Sequence, residues 1–245
     1  MRRFFVDKDA INDSTATISG EAFRHMSRVL RLKAGTKILL ADGEGHEYSC
    51  LIKLIEPDRL FVDILEVKQS PDMAGPRITL CQGVPKGDKM ELILQKCTEL
   101  GVAKFIPFLS ERTVVRLSSD QQPQRLVRWQ RVIKEAARQS EQVHIPTISA
   151  ILNFAEAVAD VKEEAKFLFW EGEVACRLKD ALATMDRPAD IAVMVGPEGG
   201  FTSEEVLLAK SHGFIPVSLG KRILRTETAG IAIAAILQFY WGELG

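Results

Sequence analysis

Four cysteines in 245 residues are too few and too widely spaced to organise this protein around sulfur. Cys50, Cys81, Cys97 and Cys176 form no CxxC pair, and no cysteine–histidine cluster has the spacing of a zinc site. They read as four reduced, mostly buried thiols rather than as a disulfide framework. The four histidines, His25, His46, His144 and His212, are equally scattered, so the chemistry is not expected to run on a protein-bound metal. Long hydrophobic runs are lacking too. The longest fully apolar stretch near the C-terminus, Ile231 to Leu237, is far shorter than the ~20 residues of a membrane helix. Only Phe4, Phe5 and Val6 separate Arg3 from Asp7, which leaves no room for the apolar part of a secretory signal. The expectation is a cytoplasmic protein that engages neither metal nor membrane. Internal repeats and low-complexity tracts are also missing.

Charge of either sign is not in excess, because the net charge is −1. Its distribution says more. Residues 1–37 hold eight Lys/Arg against four Asp/Glu, and residues 104–138 hold eight against three. Each stretch alone reads equally as a solvated face or as a surface for phosphate.

Two parts are legible. In residues 1–72, short strands are expected at Arg2–Val6, Ala16–Ile18, Lys37–Ala41, His46–Ile55 and Leu60–Val67, with turns at 42–45 and 56–59. One helix, roughly Glu21–Leu32, interrupts them, and so many strands in so few residues suggest a small barrel. The segment Gln69–Pro76, with two prolines and a glycine, reads as the linker.

Beyond Pro76, strands and helices alternate, as in a mostly parallel sheet covered on both faces. Strands are expected at Arg77–Gly83, Phe105–Leu109, Lys166–Trp170, Ile191–Gly196 and Ile215–Leu219. A helix opens at Asp88, with Glu91 placed for a capping box, and stops at Gly101. Others run from about Pro123 to Gln142, over Glu204–His212 with Thr202 as cap, and over Thr226–Tyr240. In the long helix, Leu126, Trp129, Ile133, Ala136 and Ala137 share one arc, while Arg128, Arg131 and Arg138 share the other. That arginine row reads either as a polar back or as a phosphate contact. The last helix is apolar all round from Ala229 to Leu237 and must be buried in the core or in a subunit interface.

Three loops carry the functional signal. A buried strand breaks into Val195-Gly-Pro-Glu-Gly-Gly200, a second into Gly220-Lys-Arg-Ile-Leu-Arg-Thr226, and a third into Glu171-Gly-Glu173. Ligands of open α/β sheets bind at the carboxyl ends of strands. Glycine there permits close backbone approach. The spacing is neither GxGxxG nor a Gly-Lys-Ser/Thr phosphate loop, and Glu198 repels phosphate. A sulfonium or an adenosine suits such loops better, and a purely structural turn is the alternative.

Val195–Gly200 followed by Leu219-Gly-Lys-Arg-Ile-Leu-Arg-Thr-Glu-Thr-Ala229 closely resembles the SPOUT class of RNA methyltransferases. Within it, the chain is similar to the enzymes that methylate N3 of a uridine in bacterial 16S ribosomal RNA. Arg3-Phe-Phe-Val6, His25 with Val29-Leu-Arg31, Lys86-Gly-Asp-Lys-Met90, Lys96 with Glu99-Leu-Gly-Val102, and Glu135–Ser140 extend the likeness along the chain. One departure stands at Glu141-Gln-Val-His-Ile-Pro146, where the family carries a basic residue before the Val/Ile–Pro step; Gln142 there implies an altered RNA contact.

The resemblance implies a PUA-like RNA-binding β-barrel over 1–72. A SPOUT domain over 73–245 follows, with a C-terminal trefoil knot, the rare exception to unknotted topology. It implies S-adenosyl-L-methionine as cofactor, held by Phe169, Trp170, Glu171, Val195, Gly196, Pro197, Gly199, Gly200, Leu219, Gly220, Ile223, Leu224 and Thr226. It also implies a homodimer through the C-terminal domain, acting on 16S rRNA or the assembled small subunit. Arg225 is the candidate for stabilising charge on a uracil carbonyl. Glu198 or Glu227 is the candidate for orienting the base or relaying its proton. For Glu227 the alternative is a carboxylate favoured in any first helical turn. Arg3, Arg24, Arg28, Arg31, Arg112, Arg128, Arg131 and Arg138 are the candidates for RNA contact. Two other readings stay in play, a nucleotide-binding enzyme acting on a small molecule and an RNA-binding assembly factor.

Overall fold

The computed structural model describes residues 3–69, 75–115, 118, 120–173, 175–242 and 244. It separates into two compact units, residues 1–72 with 137–145, and residues 73–136 with 146–245. Most of the expected linker, residues 70–74, lies outside the described residues.

The first unit is built on strands β1 (Arg3–Phe5), β2 (Thr15–Ser19), β3 (Lys37–Ala41), β4 (His46–Ile55) and β5 (Arg59–Gln69). Their order is β1-β3-β4-β5-β2. All pairs are antiparallel except β1 with β3. No ladder joins β1 to β2 among the described residues, so the expected barrel stays open along that seam. At three residues, β1 offers few ladder groups to close it. Alternation puts Ile38, Leu40, Tyr48, Cys50, Ile52, Leu60 and Val62 into one core with Phe4, Ile18 and Met26.

The helix expected over 21–32 is shorter and irregular. α1 (Gly20–Arg24) passes into a π turn at His25–Val29, closed by the Leu30 N–H donating to the His25 carbonyl at 2.9 Å. Residues 137–145 pack into this unit: the Ile145 N–H donates to the Gly43 carbonyl, and Ala137 and Ile145 cover Phe5 and Ala41.

The second unit is a parallel sheet of β6 (Arg77–Gly83), β7 (Val102–Leu109), β8 (Thr147–Ile148), β9 (Leu152–Asn153), β10 (Ala165–Phe169), β11 (Asp190–Val195) and β12 (Ile215–Val217). The order is β12-β10-β11-β6-β7-β8, with β9 also on β7. Helices α4 (Phe154–Asp160) and α6 (Ser203–Ser211) cover one face, burying Phe108, Phe154, Leu168, Met194, Phe201 and Val206 together. Helix α7 (Thr226–Trp241) lies against β6 and β11, α2 (Lys89–Glu99) lies against β7, and the two helices pack on each other. The remaining helices are α3 (Gln121–Gln139) and α5 (Leu178–Ala183).

Capping follows the sequence in one place and not in another. Thr202 and Glu205 form the full capping box of α6. Asp88 makes no side-chain cap on α2: its backbone, at φ −93° and ψ 8°, is not in the extended conformation of a cap, and the Glu91 N–H donates to the Asp88 carbonyl at 3.1 Å, while the Glu91 carboxylate pairs with Arg128 of α3 at 2.7 Å. In α3 the buried arc is as expected, with Trp129, Ile133, Ala136 and Ala137 inside and Arg128, Arg131 and Arg138 outside. Along α7, Ile233, Ala234 and Leu237 are buried, but Ile236, Phe239 and Tyr240 are 39%, 73% and 47% exposed. Within one chain, therefore, this helix is not covered all round.

Candidate active site

Register places the three loops at one level. Phe169, the last residue of β10, pairs with Val195, the last of β11, and with Val217, the last of β12. Strand β10 lies between β11 and β12, and its loop becomes the middle of this edge. Around this edge is a cavity of about 820 Å³.

Its walls include Phe169, Trp170, Glu171, Val195, Gly196, Pro197, Glu198 and Gly200, and every residue from Val217 to Thr226. Of the expected cofactor residues, only Gly199 stays outside. A side chain at Gly199 would collide with the backbone of Arg112 at 2.7 Å, so its glycine serves a close approach of chain to chain. Arg112 also donates to the Gly199 carbonyl at 3.3 Å, which turns it toward this loop. Gly200 needs its glycine for another reason, a φ of +67°. The Glu171 carboxylate folds over that position, 3.3 Å from where a Cβ would stand.

Polar bonds lock the floor. Thr226 Oγ1 donates to the Gly196 carbonyl at 2.6 Å and accepts from Gln82 Nε2 at 2.9 Å. A buried network thus joins β6, the loop after β11 and the start of α7. Beneath it, Phe201 packs with Phe108 and Phe154 at ring separations of 5.7 to 6.2 Å. Gln82 was missed from the sequence, although a glutamine inside the apolar strand Arg77–Gly83 is a visible signal that a buried partner exists.

The expected catalytic residues sit differently. Arg225 lines the cavity, is exposed, and pairs with no carboxylate among the described residues. It therefore does not tie down Glu227. Glu198 accepts from Lys89 Nζ at 2.8 Å and from the Lys86 N–H at 3.2 Å. Burial pushes its carboxyl up, but the Lys89 bond and the backbone N–H groups outweigh this and hold it below the ordinary range. Glu227 is half-buried, with Oε2 at 3.5 Å from the same ammonium. Lys89, also a wall residue, was not singled out from the sequence.

Of the expected RNA residues, Arg3 is turned onto Glu47 and is only partly accessible. Arg24, Arg28 and Arg31 are exposed in and after the irregular helix. Arg128 is engaged by Glu91, and Arg131 and Arg138 are exposed on α3. Cys50, Cys81 and Cys97 are buried, and burial pushes the Cys50 thiol up to about 11. Among the described residues, no group of three or more His, Cys, Asp or Glu is placed to hold a metal, and no helix is long and apolar enough to cross a membrane.

Fold and pocket together define an α/β domain with a ligand-sized cavity at the carboxyl edge of a parallel sheet, in a chain that also carries a smaller β unit. Comparison with known proteins refines this. Residues 73–238 match the RNA methyltransferase domain family, and residues 18–65 match the RNA methyltransferase PUA domain. A ribosomal RNA small subunit methyltransferase E from Synechocystis is 36% identical over 96% of this chain and 76% of its own. One from Bacillus subtilis is 30% identical over 96% of both. The crystal structure of another, from Neisseria gonorrhoeae and bound to S-adenosyl methionine, is 36% identical with a TM-score of 0.86 over the full length of both chains. This chain belongs to the RNA methyltransferase family, in the group whose members carry the name ribosomal RNA small subunit methyltransferase E.

Proposed function

We propose that this protein transfers the methyl group of S-adenosyl-L-methionine to N3 of a uridine in the small-subunit ribosomal RNA. The observation that carries this reading is the levelled edge of β12, β10 and β11 with its cavity, in a chain whose S-adenosyl methionine-bound relative covers it end to end. The residues present fit such a cofactor. Phe169, Val195, Val217 and Leu224 offer apolar walls for an adenine, and Glu171 offers a carboxylate for a cationic sulfonium or amino group. Gly196 keeps its floor narrow, because a Cβ there would meet the Phe201 ring at 3.2 Å.

When bound, the cofactor supplies an already activated methyl group, so no metal is required. Its S–C bond breaks, the N3–C bond forms, and the N3 proton must leave. The protein's part is alignment and charge. Alignment supplies much of the acceleration. As N3 loses its proton, negative charge grows on the uracil carbonyl oxygens, and Arg225, which lines the cavity and pairs with no carboxylate among the described residues, is placed to meet it. Glu198 or Glu227 orients the base or relays its proton. Arg24, Arg28, Arg31, Arg131 and Arg138 hold phosphates. A trefoil knot in the C-terminal segment is part of this reading, supported by the return of the chain from β12 at the sheet edge to lay α7 on β11 and β6.

The test is to map methylated nucleotides in small-subunit rRNA from a deletion strain by mass spectrometry. Loss of one N3-methyluridine, regained on complementation, is expected; an unchanged methylation pattern overturns the proposal. Titration separates the competing readings, since S-adenosylmethionine should bind and NAD and ATP should not.

A further inference from the structure

Lys89 stands where a cation has no local reason to be. It is the first residue of α2, and the helix dipole favours negative charge at that end. The ammonium is instead directed out of the helix to two carboxylates from distant parts of the chain. Nζ lies 2.8 Å from Glu198 Oε1 on the loop after β11 and 3.5 Å from Glu227 Oε2 in the first turn of α7. Glu227 Oε2 is buried and has no hydrogen-bond partner of its own, so this ammonium is what compensates its charge. Lys89 also lines the cavity.

We propose that Lys89 is a positioning residue: it clamps Glu198 and Glu227 together beside the pocket and so fixes their place and the local charge that the methyl acceptor meets. This rests on the reading of the pocket given above. Two carboxylates around one ammonium carry one net negative charge; without the ammonium they carry two and repel. A uracil giving up its N3 proton next to two unscreened carboxylates becomes a poorer acid. The electrostatics of the pair point the same way. The Glu198 bond holds the Lys89 ammonium above its ordinary range, and the Lys89 bond helps hold Glu198 below its own. Other charged groups set the background. On the same turn, Asp88 is directed toward Arg128 at 3.7 Å. Across the cavity stand Lys221, Arg222 and Arg225 before α7, and Glu171, Glu173 and Arg177 after β10.

The experiment compares the full-length wild type with Lys89→Met and Lys89→Arg. Three quantities are measured: S-adenosylmethionine affinity by calorimetry, single-turnover methylation of small-subunit rRNA across pH, and thermal midpoint. Lys89→Met should slow methylation on the order of tenfold to a hundredfold near neutral pH. The rising limb of its pH–rate profile should move to higher pH, and Lys89→Arg should restore most of the rate. A loss that is equal at every pH, or no loss, overturns the proposal. Should Lys89→Met not fold, Glu198→Gln reads the same clamp from the other side: with one carboxylate neutral, the limb should move to lower pH, and an unmoved limb overturns the proposal. A wild type that neither binds S-adenosylmethionine nor methylates rRNA instead defeats the reading of the pocket itself.

Discussion

Single side chains decide two properties of this protein, and Arg225 is the first. Its exposed guanidinium lines the cavity without a carboxylate partner among the described residues, and is proposed to meet the charge that forms on the methyl acceptor. Arg225→Ala should therefore cut single-turnover methylation on the order of a hundredfold, as loss of an oxyanion donor does. Cofactor affinity should hold. Arg225→Lys should recover little, because a point charge does not reproduce a planar fork. Normal turnover, or a loss explained by weaker cofactor binding alone, removes Arg225 from the mechanism.

Asp42 is the second. It accepts from the N–H groups of Glu44 and His46 at 2.8 and 3.1 Å, from His46 Nδ1 at 2.8 Å and from the Tyr48 hydroxyl at 3.2 Å. Burial pushes its carboxyl up, but these donors prevail and hold it below the ordinary range. The folded protein thus binds this proton less readily than the unfolded chain. The resulting stability is complete above the unfolded value of about 3.9 and is lost as pH falls through the lower, folded value. Asp42→Asn should cost about 1–3 kcal/mol at pH 7. Measured by denaturant unfolding, that gap should narrow below about pH 4; a gap constant with pH contradicts the assignment.

At the scale of elements, α7 is fastened at its first residue. The Thr226 hydroxyl satisfies the Gly196 carbonyl and takes the Gln82 amide, tying together the helix, the loop after β11 and the central strand. Thr226→Val keeps the shape and orphans a buried carbonyl, at about 1–3 kcal/mol. The thermal midpoint should fall by several degrees, at roughly 2–4 °C per kcal/mol for a chain of this size, and S-adenosylmethionine affinity should fall with it. An unchanged midpoint shows that the network is dispensable. Helix α3 divides its arginines. Arg128 is engaged by Glu91, an exposed pair worth no more than about 1 kcal/mol. Arg131 and Arg138, exposed on the same helix, are the proposed phosphate contacts. Replacing both by Ala should weaken RNA binding and lower the slope of log affinity on log salt by about 2, with cofactor affinity unchanged. A wild-type slope ends that role for the helix.

At the scale of the molecule, the far end of α7 leaves an apolar face uncovered, with Phe239 its most exposed member. Exposed faces of this kind mark contact surfaces, and a second copy of the same chain is the proposed cover. Light scattering at micromolar concentration should give twice the 27.2 kDa chain mass. Phe239→Glu should return the chain mass, since burying an unpaired carboxylate is prohibitive. A monomeric wild type with full activity rejects the dimer.

Much of this architecture follows from local pattern. The alternation along β3 and β4, the apolar runs of β6 and β11, and the Thr202/Glu205 box were readable because each depends on residues two to four positions apart. The glycine-rich loops 195–200 and 219–226 were readable as a site for the same reason, since strand ends and glycines are local events. Other features depended on partners far along the chain. Asp88 and Glu91 suggest a box that α2 does not form, and the Glu91 carboxylate pairs instead with Arg128, thirty-seven positions further along the chain. The placing of β10 between β11 and β12, the return of residues 137–145 to the first unit, the bond from Gln82 to Thr226 and the gathering of Glu198 and Glu227 on Lys89 have no local signature. By itself the sequence determined which segments become strands, helices and ligand loops, because periodicity and capping act over one or two turns. Tertiary structure alone decided which charges meet, because ion pairs and buried hydrogen bonds form between whichever groups the packed sheet brings within about 3 Å.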